Sequence, residues 1–229
     1  MTKETFAPKI PKEYSSLKRM VLVPSYTILR SIKESLKSKG LSLRNGPLLA
    51  DCFSPLLLDS HTMILGPFLG SSGISYLLHL LLPANEKAEV LFFGSAARII
   101  SNTIEENKKL YQAGVFYTEL ESGLISHVAG EHGKKNMEIV LSTHTPQYES
   151  LETIVLIHTQ YHVSLIDMES AFIKKTCAQF HVHFEACFIC SDIWDLQDRS
   201  HYMRKSLSKL PEFESLIEHA SFRLLTVSP

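Results

Sequence analysis

The sequence predicts a single α/β domain, a three-layer α/β/α arrangement around a central mixed, mostly parallel sheet. Three observations carry this expectation. Short apolar runs alternate along the chain with longer stretches of helical period, the pattern of strands joined by crossover helices. Residues 90–93 are continuously apolar, as expected for a strand covered on both faces. The chain has 229 residues, 45% of them hydrophobic, enough to bury one sizeable core. No Pro/Gly/Ser-rich stretch or charge run divides its middle. Residues 20–229 are therefore read as one domain behind a polar N-terminal extension, 1–19, that carries Pro8 and Pro11.

Residues 20–23 form a short β run closed by Pro24. A helix is expected over 26–39, where Ile28, Leu29, Ile32 and Leu36 make one stripe and Gly40 is the stop. A second β run covers 62–65. The turn Gly66-Pro67 and a loop with Gly70 and Gly73 then lead into a very apolar helix over 74–82. After the strand at 90–93, further strands are expected at 115–120, 139–141, 163–166 and 186–190, with helices over 168–180 and 201–210. The stretch 151–158 is open between the two states: its β-branched residues favour a strand, whereas the resemblance described below implies a helix.

Charge and cysteine usage exclude several classes. Lys plus Arg number 23 against 24 Asp plus Glu, so composition lends nucleic-acid binding no support. Cys187 and Cys190 form a C-x-x-C pair inside an apolar run, while Cys52 and Cys177 make no second pair. Buried free thiols in a reducing cytosol fit this better than a redox or zinc site. No window reaches the length of a membrane span and no signal-peptide core precedes the domain, so a cytoplasmic protein without a membrane partner is expected. His158 and His162 have i, i+4 spacing but lack the companion acid of a zinc motif. Neither a metal nor a cofactor is expected.

In α/β sheets ligands sit beyond the carboxyl ends of the strands. The polar residues after the strand runs are Ser25, Gly94-Ser95, 142–145, 167–169 and Ser191-Asp192. Acids and several hydroxyls at converging strand ends suggest a small polar ligand. Two segments are more specific. Leu165-Ile166-Asp167-Met168-Glu169 is a strand running into a helix, and Ile189-Cys190-Ser191-Asp192 is an apolar strand ending in Ser-Asp. Together they resemble the M-E and S-D pair of the nucleoside phosphorylase superfamily, nearest the 5′-methylthioadenosine/S-adenosylhomocysteine nucleosidases and the futalosine-type hydrolases. The turn at 66–73 and Gly94-Ser95-Ala96-Ala97 are similar to two further turns of that family. The resemblance spans roughly residues 20–210 and is sharp from 164 to 195.

The resemblance implies cleavage of the N-glycosidic bond of a 5′-substituted adenine nucleoside. The chemistry suits the residue types. Purine departure needs a carboxylic acid to protonate N7, and burial at the end of an apolar strand raises a carboxyl pKa. Asp192 matches that acid and Ser191 its orienting hydroxyl; the alternative is that Asp192 caps a following helix. Glu169, in the first turn of a helix, is expected to be ionised and matches the acceptor of ribose hydroxyls. Met168 matches the residue packed on the sugar, with ordinary core as its alternative. Asp167 is expected to be a cap. Ser95 and Ala96 match the loop below ribose and base, and Gln147, beside Pro146, matches the contact to the purine edge.

Three positions depart from the family pattern. The water-activating Glu after the first strand is missing from Val23-Pro24-Ser25-Tyr26-Thr27, and Glu34 lies too far along the helix. Arg98 replaces a Gly, and Trp194 replaces a small residue two after the acid. The places of the phosphorylases' phosphate-binding arginines hold Phe92 and Ser25-Tyr26, which favours a hydrolase. The altered pocket, with Arg98 or Arg30 available to a carboxylate, leans towards aminodeoxyfutalosine, a menaquinone-route nucleoside, over methylthioadenosine or S-adenosylhomocysteine. A catalytically silent adenine-nucleoside binder and an unrelated α/β site stand as alternatives. Members of this family are commonly homodimers.

Overall fold

The computed structural model describes residues 10–49, 53–68, 70–101, 110–119, 125–130, 137–143, 150–204 and 206–226. Among them, eleven strands form one sheet. These are β1 (Arg19–Leu22), β2 (Arg44–Asn45), β3 (Leu56–Leu57), β4 (Thr62–Leu65), β5 (Glu89–Ile100), β6 (Tyr111–Glu119), β7 (Ile125–Ala129), β8 (Glu138–Ser142), β9 (Leu165–Asp167), β10 (His183–Asp195) and β11 (Ser200–Met203). The helices are α1 (Tyr26–Ser38), α2 (Ser71–Leu81), α3 (Leu151–Tyr161), α4 (Ser170–Gln179) and α5 (Phe213–Leu225).

The sheet is mixed rather than mostly parallel. β1 runs parallel to β4 and β5, β5 to β10, and β8 to β6 and β9. β5 with β9, β10 with β6 and β11, β6 with β7, and the β2–β3–β4 edge are antiparallel. The order β10-β6-β8-β9-β5 returns to β10, so these five strands close on themselves. The departure has a physical cause. β5 and β10 do not stop where their apolar runs stop; they continue through Ser95 and Ser191-Asp192 to Ile100 and Asp195. The extended part of β5 then pairs with β9 through Ala97↔Ile166 and Arg98↔Leu165.

Strand alternation distributes the core. Met20, Leu22, Val90, Phe92, Phe184 and Phe188 pack with Ile74, Leu77, Leu78 and Leu81 of α2 and Ile173 and Cys177 of α4. Their neighbours Val21, Leu91, Phe93, Cys187 and Ile189 pack with the Ile28, Leu29, Ile32, Leu36 stripe of α1 and with Phe213, Leu216, Ala220 and Leu224 of α5. Ile154 and Ile157 of α3 pack with Tyr117, Leu141, Ile166 and Trp194. Tyr14 and Leu17, ahead of β1, are buried in the first of these clusters.

Two local readings are resolved. The open stretch at 151–158 belongs to a helix, whose N-cap Ser150 accepts from the Thr153 amide at 3.2 Å. Among the described residues no α-helix lies within 201–210, and only Leu207–Lys209 makes a 3-10 turn. His201 lies in β11, opposite Trp194 of β10, and the last helix begins only after Pro211 and Glu212.

At the end of the sheet away from the Ser191-Asp192 segment, four charged side chains tie strands to α5. Arg19 of β1 pairs with Glu89 of β5. Arg223 of α5 reaches Glu89 at 3.0 Å and Glu185 of β10 at 2.5 Å. Among the described residues no helix is long and apolar enough to cross a membrane.

Candidate active site

The extended parts of β5 and β10, the end of β9 with the start of α4, and the loops after β1 and before α2 surround one cavity of about 810 Å³. Of the residues expected at a site, Asp192, Ser191, Glu169, Met168, Ser95 and Ala96 all line it. Gln147 and Pro146 lie outside the described residues.

Asp192 is delivered by a β-bulge. Cys190 pairs with Ala96 and Asp192 with Ala97, leaving Ser191 as the extra residue. A bulge re-aims the side chains that follow it, and here Asp192 faces the cavity beside its partner Ala97. Ser191 Oγ donates to Asp192 Oδ1 at 2.5 Å, and His201 Nε2 lies 2.9 Å from Oδ2. The capping alternative fails, because Asp192 sits inside a strand that runs on to Asp195. The capping acid of this turn is Asp195, which accepts from the amides of Gln197 at 2.9 Å and Asp198 at 3.0 Å.

Glu169 occupies the N-cap position of α4, but its side chain does not cap that helix. Its Oε1 instead accepts the Gly70 amide at 3.0 Å, from the loop before α2. Gly70 has φ +72° and ψ 170°, a region open essentially to glycine alone. The helix start does not leave Glu169 with an ordinary carboxyl pKa. Burial, and secondarily the neighbouring Asp167, push it up to about 7, because desolvation outweighs the helix dipole.

Asp167 plays the structural part. Its Oδ2 accepts from the Ser170 amide at 2.8 Å, and Ser142 Oγ donates to its Oδ1. Ser142 Oγ also accepts from the Ala171 amide at 2.8 Å. Burial pushes the Asp167 carboxyl above its usual range. β8, β9 and α4 are thereby locked together directly beneath Glu169. Met168, between the two acids, is only half-buried and faces the cavity, so it is not ordinary core.

Several residues behave differently from their sequence reading. Arg98 is not a surface cation: it is buried, its guanidinium donates to the Tyr111 hydroxyl and lies over that ring at 4.7 Å. Arg30 pairs with Glu34 at 2.9 Å on the exposed face of α1. Neither arginine lines the cavity, and neither does Trp194. Trp194 is buried with Tyr117 and Leu141 and stacks on the His201 ring, centroids 4.2 Å apart and planes 16° apart. Pro24, Ser25 and Tyr26 do line the cavity, without a carboxylate among them. Ser25 caps α1, accepting from the Ile28 amide at 3.4 Å.

Cys187 and Cys190 are buried within β10, where burial raises both thiols, Cys187 to about 12, a reading as inert core. Cys52 lies outside the described residues. His158 and His162 serve the end of α3: His162 is its left-handed C-cap, and His158 Nδ1 lies 2.9 Å from the Val163 carbonyl oxygen.

Sequence reasoning missed Phe68, Leu207 and His201. The first two close the cavity as apolar wall. His201 carried no signal, since its role depends on a strand pairing that a helix reading hides.

No family sequence model matches the chain, and no curated protein matches it by sequence. Solved structures do match. The 5′-methylthioadenosine/S-adenosylhomocysteine nucleosidase of Campylobacter jejuni is 13% identical, with a TM-score of 0.64 over 91% of this chain and 96% of that one. The futalosine hydrolase of Helicobacter pylori is 14% identical, with a TM-score of 0.60 over 90% of this chain and 93% of the other. Isoform 2 of uridine phosphorylase from Schistosoma mansoni is 13% identical, with a TM-score of 0.64 over 92% and 87%. The chain has the fold of the nucleoside phosphorylase/nucleosidase superfamily.

Proposed function

We propose that this chain, on its nucleoside phosphorylase/nucleosidase fold, is an N-ribosyl hydrolase that releases adenine from a 5′-substituted adenine nucleoside. The observation that carries the reading is the meeting of two carboxyls, Asp192 and Glu169, in one cavity. In this reading Asp192, oriented by Ser191, protonates N7 as the C1′–N9 bond breaks. Glu169, with one oxygen held by the Gly70 amide, accepts hydrogen bonds from the ribose hydroxyls. Met168 packs on the sugar, Ser95 and Ala96 lie below ribose and base, and Gln147 meets the purine edge.

Water, rather than phosphate, is the proposed acceptor. Among the described residues no Lys or Arg lines the cavity, and a phosphorylase needs cations around its phosphate. The 5′ group is read from the same wall. With Arg30 turned to Glu34 and Arg98 to Tyr111, the arginine argument for aminodeoxyfutalosine and a menaquinone-route role loses its support. The described lining includes Tyr26, Phe68 and Leu207, which suits the thioether of methylthioadenosine or S-adenosylhomocysteine. The small-molecule substrate, the cytoplasmic setting and a homodimer belong to the same proposal.

The test is adenine release from methylthioadenosine, S-adenosylhomocysteine and aminodeoxyfutalosine, side by side, with and without phosphate. The expected result is phosphate-independent release, fastest from methylthioadenosine. A phosphate requirement with formation of ribosyl 1-phosphate would reassign the chain to phosphorolysis. Adenine binding without turnover of any substrate makes it a binding module, the outcome that the acid-free Ser25-Tyr26 segment would explain.

A further inference from the structure

We propose that His201 is a positioning residue that holds the proton which Asp192 delivers to the leaving base. The inference rests on the reading of Asp192 as the general acid, and adds a partner to it. Its basis is geometric. Asp192, Trp194 and His201 lie on one face of the β10–β11 pair: His201 is directly opposite Trp194, and Asp192 is two residues before Trp194. The imidazole is therefore a diagonal neighbour of the carboxyl, within reach of it. Trp194 stacks on the ring nearly parallel at 4.2 Å and fixes its plane. That leaves Nε2 at 2.9 Å from Asp192 Oδ2, while Ser191 holds Oδ1. The carboxyl is only 18% exposed, whereas the imidazole is 33% exposed, so one end of the pair meets substrate and the other meets solvent.

At 2.9 Å a proton can pass between imidazole and carboxyl along one hydrogen bond. With one proton between them, the pair is either carboxylic acid and neutral imidazole, or carboxylate and imidazolium. The acid form gives its proton to N7 as the bonding pair of C1′–N9 passes to the purine. Water adds its oxygen to C1′ and releases a proton to solvent, and a solvent proton entering at the imidazole reloads the pair. Other ionisable groups around the pair are otherwise engaged. Arg204, just after β11, is held by Glu212. Arg98 is turned onto Tyr111, Cys190 is a buried thiol, and Asp195 is taken by two amides. Glu169 lines the same cavity as Asp192 and accepts from the Gly70 amide.

The test is kcat/KM against pH for wild type, His201→Gln and His201→Asn, with folding checked by thermal melts. Both amides keep a polar group near Asp192 and cannot hold the extra proton. Both variants are expected to stay within about tenfold of wild type at the acid end. Their ratio to wild type is expected to fall by about a further tenfold between the acid end and neutrality, because neither variant carries a second proton site beside the carboxyl. A constant ratio of wild type to variant at every pH would leave His201 as packing only and overturn this inference alone. No base release by wild type would overturn the reading of Asp192, and this inference with it.

Discussion

Asp192→Asn keeps the size of the side chain and removes its proton. The substitution is expected to lower turnover by about 10²–10⁴-fold while adenine still binds, as measured by single-turnover release and by calorimetry with free adenine. An Asn that turned over normally would leave the site without its acid. Glu169 makes a different prediction, because burial raises it to about 7. The ordinary value of a free Glu is near 4.3, so between roughly pH 4.5 and 7 the folded state binds the proton that the unfolded state has lost. Stability supplied by this group is therefore complete at low pH and declines through that window, by up to about 3 kcal/mol. Urea titrations of the ligand-free protein should show this decline, and Glu169→Gln should lose it. Accepting ribose hydroxyls needs the carboxylate, so nucleoside affinity should rise towards pH 8. Glu169→Gln should weaken nucleoside binding and spare free adenine.

The loop before α2 and the start of α4 meet at one hydrogen bond, from the Gly70 amide to Glu169. Gly70→Ala puts a Cβ on a backbone with φ +72° and ψ 170°, which costs about 1–3 kcal/mol. The expected outcome is a lower melting temperature with a raised KM for nucleoside, since relief of the strain would swing the amide away from Glu169. A variant that lost stability but kept its KM would show that this bond does not set the site. What the sequence disclosed about the elements follows the same local physics. The central apolar runs of β1, β4, β8 and β9 were readable, as was the α1 stripe, because burial on regular faces repeats in the chain. The outer parts of β5 and β10 were not. Ser95, Ser191 and Asp192 look like loop residues, yet Ser95 and Asp192 are paired in the sheet, Ser191 is the bulge between paired residues, and all three side chains line the cavity. Among the site residues, the two acids were legible and His201 was not, because β11 has too few residues, most of them exposed, to show a period. The helix at 151–161 was masked by its β-branched residues; the family resemblance pointed to it, and its Ser150 cap went unread.

Across the whole molecule the two ends of the sheet do different work. At one end the strands open onto the cavity; at the other, Arg223 bridges Glu89 and Glu185 and so links α5 to β5 and β10. The His219 imidazole, 4.0 Å away, and the Arg223 guanidinium hold Glu185 at about 2, against its burial. A carboxyl lowered in this way stabilises the fold above its unfolded pKa, and the contribution is lost as pH falls towards about 2. Arg223→Gln should therefore cost about 3 kcal/mol or more at pH 7, and the difference from wild type should shrink in urea titrations near pH 3. Turnover well below the melting temperature should be unaffected, since none of these groups touches the cavity. The closed ring of five strands gives the proposed acid and its partner unequal lifetimes. Asp192 belongs to β10, which is paired with β5 along its length whether or not β11 is in place, whereas β11 is four residues long and, among the described residues, bonded to β10 alone. Short edge strands fray locally while central ones open only with the whole domain. In deuterium-exchange experiments the amides of β11 should label within the earliest time points and those of β10 that bond to β5 last. Each fraying event would carry the imidazole off and leave the carboxyl behind, so the tempo of proton resupply would be set by the loosest strand of the sheet, not by the rigid one that bears the acid.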